Sequence, residues 1–178
     1  MTRLDRIGLV AAFLILLVGS AAIFAYVHVR DLDAALPEPP APRDVATSTV
    51  VLDRDGLLLR PFTIADGRWR LPVTKADVDQ RYLQFLLAYE DRRFEEHGGV
   101  DWTAMLRAAG QFVLAGGHIV SGGSTLTMQV ARLLEGAPTR DADAKLSQIL
   151  MARKLEARFT KDEILTLYLM LAPFGGNV

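Results

Sequence analysis

A chain of 178 residues is long enough to bury one substantial core, and its 20 Lys+Arg against 21 Asp+Glu leave a net charge of −1. That balance lacks the basic footprint of a nucleic-acid-binding domain, so no nucleic-acid partner is expected. The absence of cysteine excludes a disulfide framework, a thiolate metal site and a lipid-bearing thiol.

Hydrophobic residues make up 51% of the chain, and the excess gathers at one end, where Gly8 to Val27 carries no charge. At about 1.5 Å per residue, roughly 20 residues span the ~30 Å hydrocarbon core of a bilayer. Arg3 and Arg6 would also serve as the basic start of a cleaved signal peptide. The apolar run of such a peptide is only about 7–15 residues, and no small-x-small site closes this one. Residues 8–27 are therefore expected to be a retained transmembrane anchor. Arg3 and Arg6 before it, against Arg30, Asp31 and Asp33 after it, put residues 1–7 in the cytoplasm and the rest outside.

Residues 28–47 form a Pro-rich linker, with Leu36-Pro37-Glu38-Pro39-Pro40-Ala41-Pro42 as an extended, semi-rigid spacer. A folded domain then occupies residues 48–178. It opens with two apolar runs, Thr49–Leu52 and Leu57–Arg60, around Asp53-Arg54-Asp55-Gly56, which is a hairpin signal. After Pro72 the pattern is helical throughout. Val78, Tyr82, Phe85, Leu86 and Tyr89 recur at i, i+4, i+7, i+8 and i+11, with Thr74 and Asp77 as a capping-box-like start. That helix ends near Glu90, before Gly98-Gly99. A second opens on Asp101 as N-cap, presents Trp102, Met105, Leu106, Ala109, Phe112 and Val113 as its apolar face, and stops at Gly116-Gly117. Ser124 caps a third, with Leu126, Val130, Leu133 and Leu134 on its apolar side. A fourth runs from about Ala142 to Phe159. Thr160-Lys161-Asp162-Glu163 is a full capping box for a fifth, which Pro173 ends. The fold class is mainly α with a small N-terminal β-hairpin, and the domain reads as truncated in a Gly175-Gly176 turn.

Glu90-Asp91 is the sharpest chemical signal. Carboxylates at a helix C-terminus face the negative end of the macrodipole, at a cost of about 0.3–1 kcal/mol each. Two explanations stand side by side. A partly buried glutamate in that place suits a general base, while Arg92, Arg93 or Arg107 could simply pair with either acid.

A second signal is Ser121-Gly122-Gly123-Ser124-Thr125 running into a helix, where backbone N–H groups favour an anion. Thr125, Gln129 and Arg132 share one face at i, i+4 and i+7, a set of donors suited to phosphate. An ordinary cap with a solvated polar face is the plainer alternative. Gly-Lys-Ser/Thr is absent, so this is not a Walker A loop. His97 and His118 have no second ligand at useful spacing, and no metal site is expected. Asp141-Ala142-Asp143 stands where a helix N-cap belongs and is taken as capping.

Together these segments resemble a known family, the peptidoglycan glycosyltransferase domain of class A penicillin-binding proteins, also called family 51 glycosyltransferases. Glu90-Asp91-Arg92-Arg93-Phe94-Glu95-Glu96-His97-Gly98-Gly99-Val100-Asp101 resembles its first motif, and Gly122-Gly123-Ser124-Thr125-Leu126-Thr127-Met128-Gln129-Val130-Ala131-Arg132 its second. Phe159-Thr160-Lys161-Asp162-Glu163-Ile164-Leu165-Thr166-Leu167-Tyr168-Leu169 is similar to its third and fourth. The order and spacing are the family's, and the second motif with Leu171–Gly176 is nearest a branch designated 1C.

The resemblance implies a lysozyme-like α fold, set partly into the outer leaflet of the bacterial cytoplasmic membrane. It implies polymerisation of lipid II into β-1,4-linked glycan strands, with undecaprenyl pyrophosphate released. Glu90 would be the general base. Asp91, Phe94 and His97 would shape the cleft, and Ser124, Thr125, Gln129, Arg132, Lys145 and Gln148 would meet the substrate. Partners implied are lipid II, the growing strand, membrane lipid and other wall-synthesis proteins.

Four positions depart from the family pattern. Gln148 stands where a second glutamate is common, so a divalent cation such as Mg²⁺ would meet an amide there, and no cofactor is expected. Arg132 replaces a lysine, Ala144 an arginine and Met170 an asparagine. Two other functions remain as alternatives: a lysozyme-like glycan-cleaving enzyme, and a non-catalytic lipid II-binding scaffold.

Overall fold

The computed structural model describes residues 3–118, 122–136 and 142–174; Ser121, the expected cap Asp141 and the expected Gly175-Gly176 turn lie outside them. The chain divides into two compact units, Met1–Pro37 and Glu38–Val178.

The first unit is one helix, α1 (Arg3–Ala35). Its stretch Ala11–Ala35 is long and apolar enough to cross a membrane. Ser20, inside that stretch, returns its hydroxyl to the Leu16 carbonyl at 2.8 Å, so this hydroxyl is satisfied within the helix. The helix outruns the expected end at Val27 because nothing breaks it before Pro37, whose ring disfavours helical geometry at Leu36.

The second unit begins with a strap. Pro39 is fully buried, Arg158 reaches Glu38 at 2.9 Å, and a 3-10 turn at Pro42–Asp44 packs against the last helix. From Glu38 onward, therefore, the Pro-rich segment is packed on the domain and not a free spacer. Proline rings bury readily and give up no backbone N–H in doing so.

Strands β1 (Val50–Leu52) and β2 (Leu58–Pro61) pair antiparallel, Val50 opposite Pro61 and Val51 opposite Arg60. The turn between them is held by Asp53 Oδ1, which accepts from the N–H groups of Asp55 and Leu57 at 2.8 Å each.

Five helices follow: α2 (Gln80–Glu90), α3 (Trp102–Leu114), α4 (Leu126–Glu135), α5 (Ala142–Arg158) and α6 (Lys161–Leu171). Two expected caps move. The Thr74–Asp77 capping box closes a 3-10 turn at Lys75–Asp77, and Asp79 caps α2 by accepting from the Arg81 N–H. Thr125, not Ser124, caps α4 and accepts from the Met128 N–H at 3.1 Å. Asp101 on α3 and the Thr160–Glu163 box on α6 stand where the sequence put them.

The core lies among α4, α5 and α6. The three helices pack on one another and contribute Leu126, Val130 and Ala131 from α4, Met151, Ala152 and Leu155 from α5, and Ile164, Leu165 and Leu167 from α6, all fully buried. By contrast, α2 and α3 leave most of their apolar stripes outside the core, although Met105 of α3 packs on it. Phe85 is 76% and Tyr89 89% exposed, and α3 buries no residue at all, leaving Trp102, Leu106, Val113 and Leu114 open. Periodicity identified the stripe and left its medium open. Large apolar side chains left open in this number point to an interaction site, not a core.

Candidate active site

Glu90 is the last residue of α2, half-buried, and Asp91 is its C-cap. The acid pair survives at this unfavourable helix end because a second helix answers the first. Asp91 Oδ2 accepts the Leu126 N–H at 2.8 Å, at the positive N-terminus of α4. His97 Nε2 approaches both Asp91 oxygens, at 2.9 and 3.0 Å. An ionised carboxylate only accepts, which places the imidazole proton on Nε2. Both side chains are more than nine-tenths buried. Phe94, 1% exposed, sets its ring edge-on to His97.

The loop that follows is pinned at further points. The Arg93 guanidinium pairs with Asp101, and Thr125 Oγ1 donates to the Gly99 carbonyl at 2.6 Å. Gly123 passes so close to α3 that a Cβ would lie 3.1 Å from Met105 Cα. Burial tends to raise the Asp101 carboxyl, yet the Ala104 N–H, Arg93 and Thr103 outweigh it and hold the group down at about 2. The unfolded chain binds that proton near pH 3.8, so the stability Asp101 adds is present above that value and is lost as pH falls through about 2. Acid titration of folding is expected to show this step between those limits, and Asp101→Asn to flatten it.

Glu90 itself is held from α4. Gln129 Nε2 donates to Glu90 Oε2 at 2.9 Å, and neither Glu90 nor Asp91 pairs with an arginine among the described contacts. Arg132, one turn further along α4, is exposed. Lys145 of α5 donates to Ser124 Oγ at 2.7 Å, and burial together with the Arg132 charge holds its ammonium below the usual lysine value. Lys145 thus lies beside the N-terminus of α4, while Arg132 stands in the last turn of that helix, near enough for its charge to be felt at Lys145; the two cations offer a seat for an anion. Gln148 is 3% exposed, within the core side of α5.

Glu90, Asp91, Ser124 and Thr125 line one cavity of about 650 Å³, together with Arg92 and Arg107. Phe94 and His97 are not in its wall; nor are Gln129, Arg132, Lys145 and Gln148. Thr125 is 2% exposed, with its hydroxyl engaged on both sides. Among the described residues no group of three or more His, Cys, Asp or Glu is placed to hold a metal ion.

Tyr168 of α6 belongs beside this set although no spacing rule singled it out. Burial, then the nearby Glu90 and Tyr82, raise its phenol above the usual tyrosine range, against the pull of Arg132. Its signals in the sequence were its place in the segment similar to the family's fourth motif and a polar tip in the apolar Leu167-Tyr168-Leu169 run.

A family model described as "Transglycosylase" matches residues 56–178. Penicillin-binding protein 1C of Escherichia coli (strain K12) is 50% identical over 135 residues, covering 76% of this chain and 17% of that protein. Penicillin-binding protein 1A of Pseudomonas aeruginosa is 41% identical over 139 residues, 77% of this chain and 16% of that one. Penicillin-binding protein 1A of Escherichia coli is 33% identical over 163 residues, 90% of this chain and 18% of that one. The chain spans less than a fifth of the length of these relatives.

Proposed function

This chain belongs to the transglycosylase family, and from that membership we propose that it serves in a peptidoglycan glycosyltransferase of cell-wall synthesis. The substrate is lipid II together with the growing strand. Glu90 takes the proton of the acceptor's GlcNAc 4-hydroxyl. The freed oxygen attacks the donor's MurNAc anomeric carbon with inversion, a β-1,4 bond forms, and the bond to undecaprenyl pyrophosphate breaks. The leaving diphosphate carries its charge toward Arg132, Lys145 and Ser124.

The observation that carries this reading is the 2.9 Å bond from Gln129 to Glu90. It ties the base to the helix that bears Arg132. Hydrolysis of existing glycan by paired carboxylates needs a second free acid about 5–9.5 Å from the first. The other acids in the cavity wall, Asp91 and Asp101, are both engaged, by His97 with Leu126 and by Arg93 with Ala104. Labelled lipid II given to the full-length protein tests the reading: long polymer supports it. Release of fragments from preformed strands would instead favour a lysozyme-like hydrolase, and binding without turnover a scaffold.

We place the protein in the bacterial cytoplasmic membrane, anchored by α1 with its N-terminus in the cytoplasm and the domain on the outer side. The open apolar side of α3 then rests in lipid. In the 178-residue chain carrying Trp69→Phe and reconstituted in vesicles, Trp102 is the remaining tryptophan, and brominated acyl chains are expected to quench it. Unquenched emission would put α3 in water.

A further inference from the structure

Lys161, the first residue of α6, turns its ammonium inward, which lysines seldom do without a partner. Its Nζ donates to the His97 carbonyl at 2.6 Å and to Glu156 Oε1 at 2.7 Å, and stands 4.6 Å from the centre of the Phe94 ring. The lysine keeps 19% of its side-chain surface and the glutamate 12%. Glu156 Oε1 also accepts from Thr127 Oγ1 at 2.7 Å. One ammonium therefore joins α6, α5, α4 and the loop that follows Glu90.

The reaction proposed above makes no direct use of this pair. For stability alone, a buried ion pair is often replaceable by well-packed apolar residues. An apolar residue, however, offers no donor to the His97 carbonyl. His97 is the residue whose ring grips Asp91, and Asp91 is chained to Glu90. The Phe94 ring, under the same ammonium, stands at a steep angle to the His97 ring.

We propose that Lys161 is a positioning residue for Glu90: it fixes the His97 carbonyl and the Phe94 ring, and through the Asp91–His97 pair it sets where the carboxylate meets its substrate. The proposal rests on Glu90 acting as the base. A shift of about 1 Å at a reacting group costs on the order of 100-fold in rate, so a loosened loop is felt in turnover before it is felt in binding.

The test uses the full-length protein carrying Lys161→Met with Glu156→Gln, so that no unpaired carboxylate stays buried. Polymerisation of lipid II gives kcat and KM, and amide hydrogen exchange follows residues 92–99. We expect kcat to fall about 30–100-fold with KM within about twofold. Exchange across 92–99 should quicken at least about tenfold while the β1–β2 hairpin is unchanged. Lys161→Arg, which still donates to a carbonyl and a carboxylate, should recover kcat to within about fivefold. Glu156→Gln alone leaves the His97 bond in place and should cost no more than about threefold.

A double variant with parental kcat, or with parental exchange at 92–99, overturns the proposal. So does a loss of kcat that Lys161→Arg fails to recover. If the parent itself makes no polymer, the reading of the reaction has failed, and exchange alone decides the role of Lys161. Faster exchange in the double variant, restored by Lys161→Arg, upholds it; unchanged exchange ends it.

Discussion

Glu90→Gln is expected to lower the rate of lipid II polymerisation by about 10²–10⁴-fold, the range in which a positioned general base contributes. The substitution is nearly isosteric, and its amide oxygen can still accept from Gln129, so the 2.9 Å tie to α4 is kept. Only the capacity to take a proton is lost. Binding of lipid II should therefore change little, and the loss should fall on kcat. Arg132→Ala offers the contrast. Arg132 is exposed, so solvent screens its charge, and Lys145 with Ser124 remains on the same anion seat. Its removal should cost about tenfold, shared between kcat and KM. Single-turnover assays with labelled lipid II separate the two variants. A Glu90→Gln protein within tenfold of the parent would take the base role away from this residue, and with it the mechanism.

What the sequence could and could not show follows from the range of each interaction. The Asp101 cap and the Thr160–Glu163 box obey rules that act over three residues, and both were legible. Ser124 and Thr125 are equally good caps by those rules. The choice falls on Thr125 because its hydroxyl also meets the Gly99 carbonyl, 26 residues earlier, and no local pattern carries that. The Thr74–Asp77 box was recognised, yet the same bonds close a 3-10 turn as readily as an α-helix.

The stripes on α2 and α3 show a different limit. Hydrophobic periodicity says that one face avoids water, and it does not distinguish lipid from a protein core. Phe85, Tyr89 and Leu106 satisfy the pattern and stand open. At the site, Glu90-Asp91 was visible as an anomaly of placement. Its resolution was not, since Leu126 lies 35 residues away from Asp91 and supplies the opposing helix end. Helical spacing placed Gln129 and Arg132 on one face; only the fold shows that Gln129 is what holds Glu90.

Gly99→Ala is expected to damage stability and turnover together, and Gly98→Ala to damage neither. Gly99 has φ +89, a region that costs a non-glycine residue on the order of 1–3 kcal/mol. A Cβ there would also stand 2.8 Å from the Ala152 carbonyl oxygen and 3.1 Å from Glu156 Cγ. Ala152 is fully buried backbone in the middle of α5 and cannot swing away, so the loop must move instead. Moving it pulls the Gly99 carbonyl from Thr125 and disturbs the Glu156 carboxylate that Lys161 holds. We expect a loss of about 3–4 kcal/mol, a melting temperature lower by roughly 6–15 °C, and kcat reduced by at least about tenfold in whatever remains folded. Gly98, its neighbour, has nothing within 4 Å of a built Cβ, so alanine there should stay within about 0.5 kcal/mol. Calorimetry on the two variants decides it. Equal melting points would mean that the loop after Glu90 is free to shift, and a carboxylate at the head of a free loop could not be held to the geometry that general-base catalysis requires.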